Sequence, residues 1–126
     1  MKMAKKLLVY DGDPDVLDIV STVADEVVDV DTVMTRTNDE FWLCYGQGEP
    51  AAIILDLDVP GASGIDLLGE LAERNCTAPI IFTSGYHQEV LNSARRLGGT
   101  YGLKVRDIIP KPFDIDYLRE KIAGLV

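Results

Sequence analysis

Short apolar runs alternate along this chain with stretches whose apolar residues recur at helical spacing. Leu7-Leu8-Val9-Tyr10 is a continuous apolar run, too short for a helix, and predicts a strand covered on both faces. It stops at Asp11-Gly12-Asp13-Pro14, where Asp13 is suited to cap a helix whose first residue is Pro14. Val16, Ile19, Val20, Val23 and Val27 then predict one apolar helix face. Residues 28–33 alternate and are rich in β-branched side chains, which predicts a second strand nearer an edge. Thr37-x-x-Glu40 forms a capping box before Phe41, Trp42 and Tyr45, and Gly46-Gln47-Gly48 closes that short helix. Trp42 is read as a packing residue rather than a binding aromatic.

Residues 51–56 predict a third strand with Asp56 at its carboxyl end. A Pro-Gly loop follows, and Ser63 opens a helix carrying Ile65, Leu68, Leu71 and Ala72 as far as Asn75. Pro79 to Ser84 predicts a fourth buried strand that delivers hydroxyls at its carboxyl end. Val90, Leu91, Ala94 and Leu97 mark a longer helix running to Gly98-Gly99, and Val105 to Ile109 a fifth strand ending at Lys111-Pro112. Asp114 caps a last helix with Ile115, Leu118, Ile122 and Leu125 on one face. Five βα units in strict alternation imply an α/β fold with a mostly parallel sheet and helices on both faces. At 126 residues a single domain, 1–126, is expected.

Charge and cysteine content narrow the function classes. Twelve Lys+Arg against 21 Asp+Glu give a net charge of −9, which opposes direct nucleic-acid binding and attraction to anionic membranes. Cys44 and Cys76 lie far apart with no CxxC pair, so both are expected to be reduced thiols in a cytoplasmic protein. The opening MKMAKKLLVYDG is halted by Asp11, short of a signal sequence, and no stretch reaches membrane-spanning length.

In such a sheet four strand ends converge on one edge, and here they carry Asp11 with Asp13, Asp56, Ser84 and Lys111. Taken singly, each has an ordinary structural use: a strand-end Asp caps helices, a Ser is a satisfied hydroxyl, a Lys is a solvated charge. Together they suit a phosphoryl group. Carboxylates hold Mg²⁺ through oxygen, the metal and a Lys neutralise the phosphoryl oxygens, and a hydroxyl donates the remaining hydrogen bond.

The segments LLVYDGDP, IILDLDVPGASG, PIIFTSGY and IPKPFD, in this order, resemble the receiver domain of two-component response regulators over essentially the whole chain. The resemblance implies a flavodoxin-like doubly wound sheet of five parallel strands in the order 2-1-3-4-5. It implies that Asp56 is the phosphoacceptor, charged by a histidine kinase or phosphotransfer protein. Asp11 would belong to the acidic pocket and Asp58 would offer its backbone carbonyl to Mg²⁺. Ser84 would be the hydroxyl that reports phosphorylation and Lys111 the partner of the phosphoryl oxygens, with a cis bond to Pro112. A downstream effector protein or domain would read a face made of the fourth helix, fifth strand and fifth helix. The chain would be a phosphoacceptor rather than a turnover enzyme.

Departures from the family pattern qualify this. The second of two successive acids after strand one is Gly12, so weakened Mg²⁺ binding is expected. Asp13 is the residue that can substitute, in competition with its capping role. The aromatic usually found three residues before the lysine is Ile108, which has no ring to swing. The interval from Ser84 to Lys111 is longer than usual and loosely resembles receivers joined to cyclic-di-GMP signalling domains. Arg95-Arg96 is read as a solvated helix face rather than a docking pair, and His87 as a helix-entry polar residue. Two other readings stay open: a pseudo-receiver acting as an interaction module without phosphorylation, favoured by Gly12 and Ile108, and a haloacid dehalogenase-like phosphatase, whose Asp-x-Asp pattern matches Asp11/Asp13 and Asp56/Asp58.

Overall fold

Strands and helices take strict turns in the computed structural model, which describes residues 5–27, 29–57, 64–85 and 88–125. The elements are β1 (Lys5–Tyr10), α1 (Pro14–Val27), β2 (Val30–Thr35), α2 (Asn38–Gly46) and β3 (Ala52–Asp56). They continue with α3 (Gly64–Glu73), β4 (Pro79–Ser84), α4 (Gln88–Thr100), β5 (Lys104–Pro110) and α5 (Ile115–Ala123). All strand pairs are parallel and the sheet order is β2-β1-β3-β4-β5, as expected.

The period of two along each strand divides the core into layers. Leu8, Tyr10, Ile53, Leu55, Ile80 and Phe82 face one side, where they pack with α2, α3 and α4 residues such as Phe41, Leu68, Leu71 and Ala94. Leu7, Val9, Ile54 and Ile81 face the other, against Leu17, Val20 and Val23 of α1 and Leu118 and Ile122 of α5. Strands covered on both faces need uninterrupted apolar sequence, which is why β1, β3 and β4 were the plainest signals in the chain.

Weaker signals shifted. The second strand lies at Val30–Thr35 rather than 28–33, because it pairs in step with β1 from Lys5↔Val30 to Tyr10↔Thr35. An edge strand with a half-exposed pattern takes its limits from its neighbour's ladder. On α1 the buried stripe is Leu17, Val20, Val23 and Ala24, while Ile19 is 38% exposed. Ile115 likewise opens α5 exposed. The Thr37 capping box is present, with Glu40 N–H donating to the Thr37 hydroxyl and Glu40 Oε1 accepting the Thr37 N–H. Trp42 packs edge-on to Phe41 and Tyr45 and under the Arg74 guanidinium, 4.3 Å from its ring centre. Both cysteines are free thiols. The expected Ser63 cap and His87 lie outside the described residues.

The long stretch after Ser84 is absorbed by α4, which continues through Gly98-Gly99 instead of ending there. Gly98 is where α4 passes close over β5: a Cβ there would sit 2.5 Å from Val105 Cγ2. Gly98→Ala is therefore expected to cost about 1–3 kcal/mol by overpacking, although alanine is the better helix former by about 1 kcal/mol. Val105→Ala should restore most of the loss. Urea denaturation of the single and double variants checks this, and an unchanged single variant would disprove the close approach.

At the amino end of the sheet, Glu49 ties the loop after α2 to the start of β4. Its Oε1 accepts Thr77 N–H at 2.6 Å, the Thr77 hydroxyl at 2.9 Å and Ala78 N–H at 3.1 Å. The Thr77 backbone hydrogen bond leads in lowering its pKa, against an opposing push from burial. A carboxyl depressed in the folded state contributes stability above its ordinary value of 4.5 that is lost as pH falls through the folded value. Glu49 is exposed, so Glu49→Gln is expected to remove only about 0.5–1 kcal/mol at neutral pH. The difference between wild type and variant should shrink on acidification, as followed by urea melts at stepwise pH.

Candidate functional site

Backbone ladders hold the site residues at the strand ends, Asp56 and Ser84 as the last residues of β3 and β4 and Asp11 and Lys111 one residue past β1 and β5. Asp11 N–H donates to Thr35 O at 3.1 Å, Leu57 N–H to Thr83 O at 2.9 Å and Lys111 N–H to Ser84 O at 2.9 Å. Each of these bonds extends a parallel ladder by one residue, so Asp11, Asp56, Ser84 and Lys111 are aimed from fixed backbone rather than from free loops. They stand at the carboxyl edge around β1 and β3, where the strand order reverses, the place where open α/β sheets bind ligands.

The central feature is an ammonium held between carboxylates. Lys111 Nζ lies 2.7 Å from Asp11 Oδ2 and 3.1 Å from Asp56 Oδ1. Asp11, Asp56 and Ser84 are all buried. Burial alone would lower the Lys111 pKa, but the hydrogen bond to Asp11 and the charges of Asp56 and Asp11 outweigh it and hold the amine above its usual value. The Lys111–Pro112 peptide is cis.

Asp13 sits close by but is turned to another use. Its Oδ1 accepts the Asp15 N–H at 2.9 Å at the start of α1, while its own N–H donates to Asp11 Oδ1 at 2.8 Å. One carboxylate oxygen thus caps the helix, and the backbone of Asp13 braces Asp11. Asp58 lies outside the described residues. Among the described residues no group of three or more acidic, His or Cys side chains gathers to hold a metal. The two buried carboxylates that meet at Lys111 are Asp11 and Asp56. That pair suits Mg²⁺, which keeps several waters and takes one or two carboxylates together with phosphate oxygens.

Two features escaped the sequence reading. Arg36, directly after β2, donates from Nε and Nη2 to the Gly12 carbonyl at 3.4 and 3.3 Å. A second strand taken to end at residue 33 hid it, since only the true end at Thr35 sets residue 36 beside the β1 end. The other feature is Asp107 on β5, which binds three elements together. Its Oδ2 accepts the Tyr117 hydroxyl at 2.7 Å and pairs with Lys121 at 3.3 Å, and its Oδ1 faces Arg95 at 3.7 Å. Burial pushes the Asp107 pKa up, but hydrogen bonds from Tyr117, the Ile108 N–H and Lys121 bring it below the usual carboxylate range. The four-residue spacing of Tyr117 and Lys121 was the available signal. Arg95 is thus engaged across to β5, whereas Arg96 reaches Ser93 within its own helix. Ile108 is half-buried against the α2–α4 layer.

Fold and site together define a class: a flavodoxin-like α/β domain with an acidic, lysine-bridged pocket at its switch point. The chain belongs to the response regulator receiver domain family, whose profile matches residues 7–123. Its functional class is accordingly two-component phosphorelay signalling, and receiver domains as a family bind Mg²⁺. It is 30% identical over 73 residues to the C4-dicarboxylate transport transcriptional regulatory protein DctD of Pseudomonas aeruginosa, a match covering 58% of this chain and 15% of that protein. The chain thus spans a small part of its curated relatives' length. Among solved structures it is similar to the receiver domain of the Francisella response regulator 1452, with 26% identity and a TM-score of 0.80 over 96% of this chain and 95% of that one. The fold is also shared by TrrA of Thermotoga maritima, solved in complex with Mg²⁺-BeF, with 23% identity, a TM-score of 0.77 and coverage of 97% and 99%. Among the described residues no helix is long and apolar enough to cross a membrane.

Proposed function

We propose that Asp56 accepts a phosphoryl group from a histidine kinase or phosphotransfer protein in the cytoplasm, and that the face of α4, β5 and α5 conveys this to a downstream effector. The observation that carries the reading is the Lys111 ammonium clamped between the buried carboxylates of Asp11 and Asp56. A purely structural lysine has no need of two buried acids from different strands, whereas a phosphoryl acceptor needs a nucleophilic carboxylate, a metal-binding carboxylate and a cation in reach of the same oxygens.

An Asp56 carboxylate oxygen attacks the phosphorus of phosphohistidine in line. The O–P bond forms as the P–N bond breaks, and the imidazole leaves with the electron pair of that bond. Asp11 and Asp56, with the Asp58 carbonyl that the family resemblance implies, would hold Mg²⁺, which would supply positive charge to the phosphoryl oxygens. Lys111, already in contact with Asp56, follows the charge onto the new oxygens, and the Ser84 hydroxyl donates the remaining hydrogen bond. The acyl phosphate adds about −1.5 to −2 charge where two carboxylates already meet. Lys111 and Ser84 are joined through the Lys111 N–H to Ser84 O bond, so drawing either one pulls on the ends of β4 and β5 together. Four residues before Lys111, Asp107 links β5 to α4 and α5, which gives the displacement a path to that face as a shift between two populations. Ile108, in the family's usual aromatic place, packs against the α2–α4 layer, and the polar contacts to α4 and α5 come from its neighbour Asp107.

Incubation with acetyl phosphate and Mg²⁺ followed by intact-protein mass spectrometry tests the reading. One phosphoryl adduct is expected on wild type and none on Asp56→Ala. No adduct on wild type at any Mg²⁺ concentration would overturn it and leave an interaction module that works without phosphorylation. That second reading is favoured by Gly12 and by the use of Asp13 as a helix cap.

A further inference from the structure

We infer that Arg36 is a second fixed cation of the phosphoryl site, a positioning residue that favours the phosphoryl group and disfavours the divalent metal. The inference rests on Asp56 being the phosphoacceptor. Its starting point is the loop Asp11-Gly12-Asp13, where the family pattern has a carboxylate and this chain has no side chain at all.

The backbone at Arg36 is fixed from both sides. Behind it, Thr35 is buried, its carbonyl accepts the Asp11 N–H and its hydroxyl donates to Val9 O at 2.8 Å, so the end of β2 is sewn to the end of β1. Ahead of it, Glu40 Oε1 accepts the Arg36 N–H at 2.8 Å and the Thr37 N–H at 3.2 Å, which sets the turn into α2. Between these anchors the side chain lies over the neighbouring loop and delivers two guanidinium N–H groups to Gly12 O. The acceptor is a backbone carbonyl, which takes the hydrogen bonds without neutralising the charge. A full positive charge therefore stands on the loop that separates Asp11 from Asp13, while the Lys111 ammonium contacts Asp11 Oδ2.

Relative to the family pattern, one negative charge at position 12 has been exchanged for a positive charge resting on its carbonyl. A cation there acts in opposite directions on the two charged species the pocket must take. It repels a divalent ion approaching Asp11 and Asp56, and it attracts the dianionic phosphoryl group formed on Asp56. Arg36 is exposed, so water and salt weaken both effects, to about three- to tenfold in affinity. A pocket short of metal ligands is thereby compensated on the side of the phosphoryl group, by a charge that does not have to be recruited from solution.

The opposed signs make the test specific. Mg²⁺ affinity is measured by calorimetry, and beryllofluoride affinity at saturating Mg²⁺, for wild type, Arg36→Gln and Arg36→Lys. Arg36→Gln is expected to bind Mg²⁺ about three- to tenfold more tightly and beryllofluoride about three- to tenfold more weakly, with Arg36→Lys close to wild type. A residue that merely fastened the loop would, on removal, weaken both ligands together and lower the urea midpoint; that result, or no change in either affinity, overturns the inference. Failure of the underlying reading looks different. Wild type that forms no acyl phosphate with acetyl phosphate overturns the role of Asp56, and this inference with it. An adduct on wild type with unchanged affinities in Arg36→Gln overturns the role of Arg36 alone.

Discussion

Replacing Lys111 with methionine is expected to lower the stability of the metal-free protein by about 2–3 kcal/mol, with Mg²⁺ restoring most of the loss. The ammonium contacts two carboxyl side chains that are only 4% and 5% exposed. Methionine keeps much of the stem's volume but leaves Asp11 and Asp56 facing each other with no cation between them. Removing one partner of a buried charge pair costs about 3–5 kcal/mol, and the lower figure here allows for the 18% exposure of Lys111, through which water reaches the site. In wild type the contribution of Lys111 is present throughout the neutral range. Its folded-state pKa is raised above 10.5, so this contribution is lost only as pH rises through the folded value. Urea denaturation with and without Mg²⁺ reads both halves of the expectation. Equal Mg²⁺ stabilisation of wild type and Lys111→Met would mean that the metal and the ammonium do not share the two carboxylates.

Gly12→Asp is expected to tighten Mg²⁺ binding by about tenfold or more, the largest change in ligand affinity that a single substitution should produce here. In the proposed site two carboxylates, Asp11 and Asp56, would serve the metal, because Asp13 has one oxygen committed to the α1 cap. A third carboxylate raises both the charge and the number of oxygen ligands. In metal-free buffer the same substitution should destabilise the fold, since it adds like charge beside Asp11. The new side chain would also emerge next to the Arg36 guanidinium, which would pair with it and hold back part of the gain. The increase should therefore be larger when Arg36 is glutamine, a non-additivity expected of groups in contact. Calorimetric titration of the two single variants and the double variant measures it. An unchanged affinity in Gly12→Asp would mean that the metal is already fully coordinated without an acid at that position.

Much of this is legible in the sequence alone, and the reasons are local. β1, β3 and β4 are buried on both faces and so had to be written as unbroken apolar runs. The starts of α2 and α5 announced themselves through the side-chain caps of Thr37 and Asp114. The strand-end positions of Asp11, Asp56, Ser84 and Lys111 followed from alternation alone, since in a parallel sheet every carboxyl end falls on the same edge. Where the pattern was weaker, neighbours decided. β2 moved two residues because its limits come from pairing with β1, and Ile19 turned outward because the face of α1 is chosen by what α5 and the sheet leave to be filled.

The sequence by itself thus determined the fold class, the edge on which the chemistry lies and the residue types brought to it, because hydrophobic period, capping and strand ends are properties of a few consecutive residues. Only the tertiary structure decided how those residues spend their charges. It set Lys111 between Asp11 and Asp56 across the sheet, committed Asp13 to a helix cap, laid Arg36 on the Gly12 carbonyl and gathered Arg95, Tyr117 and Lys121 around Asp107. Such pairings join side chains as much as 100 residues apart. They depend on strand order and on the competition of several donors for one acceptor, and neither is written in any single segment.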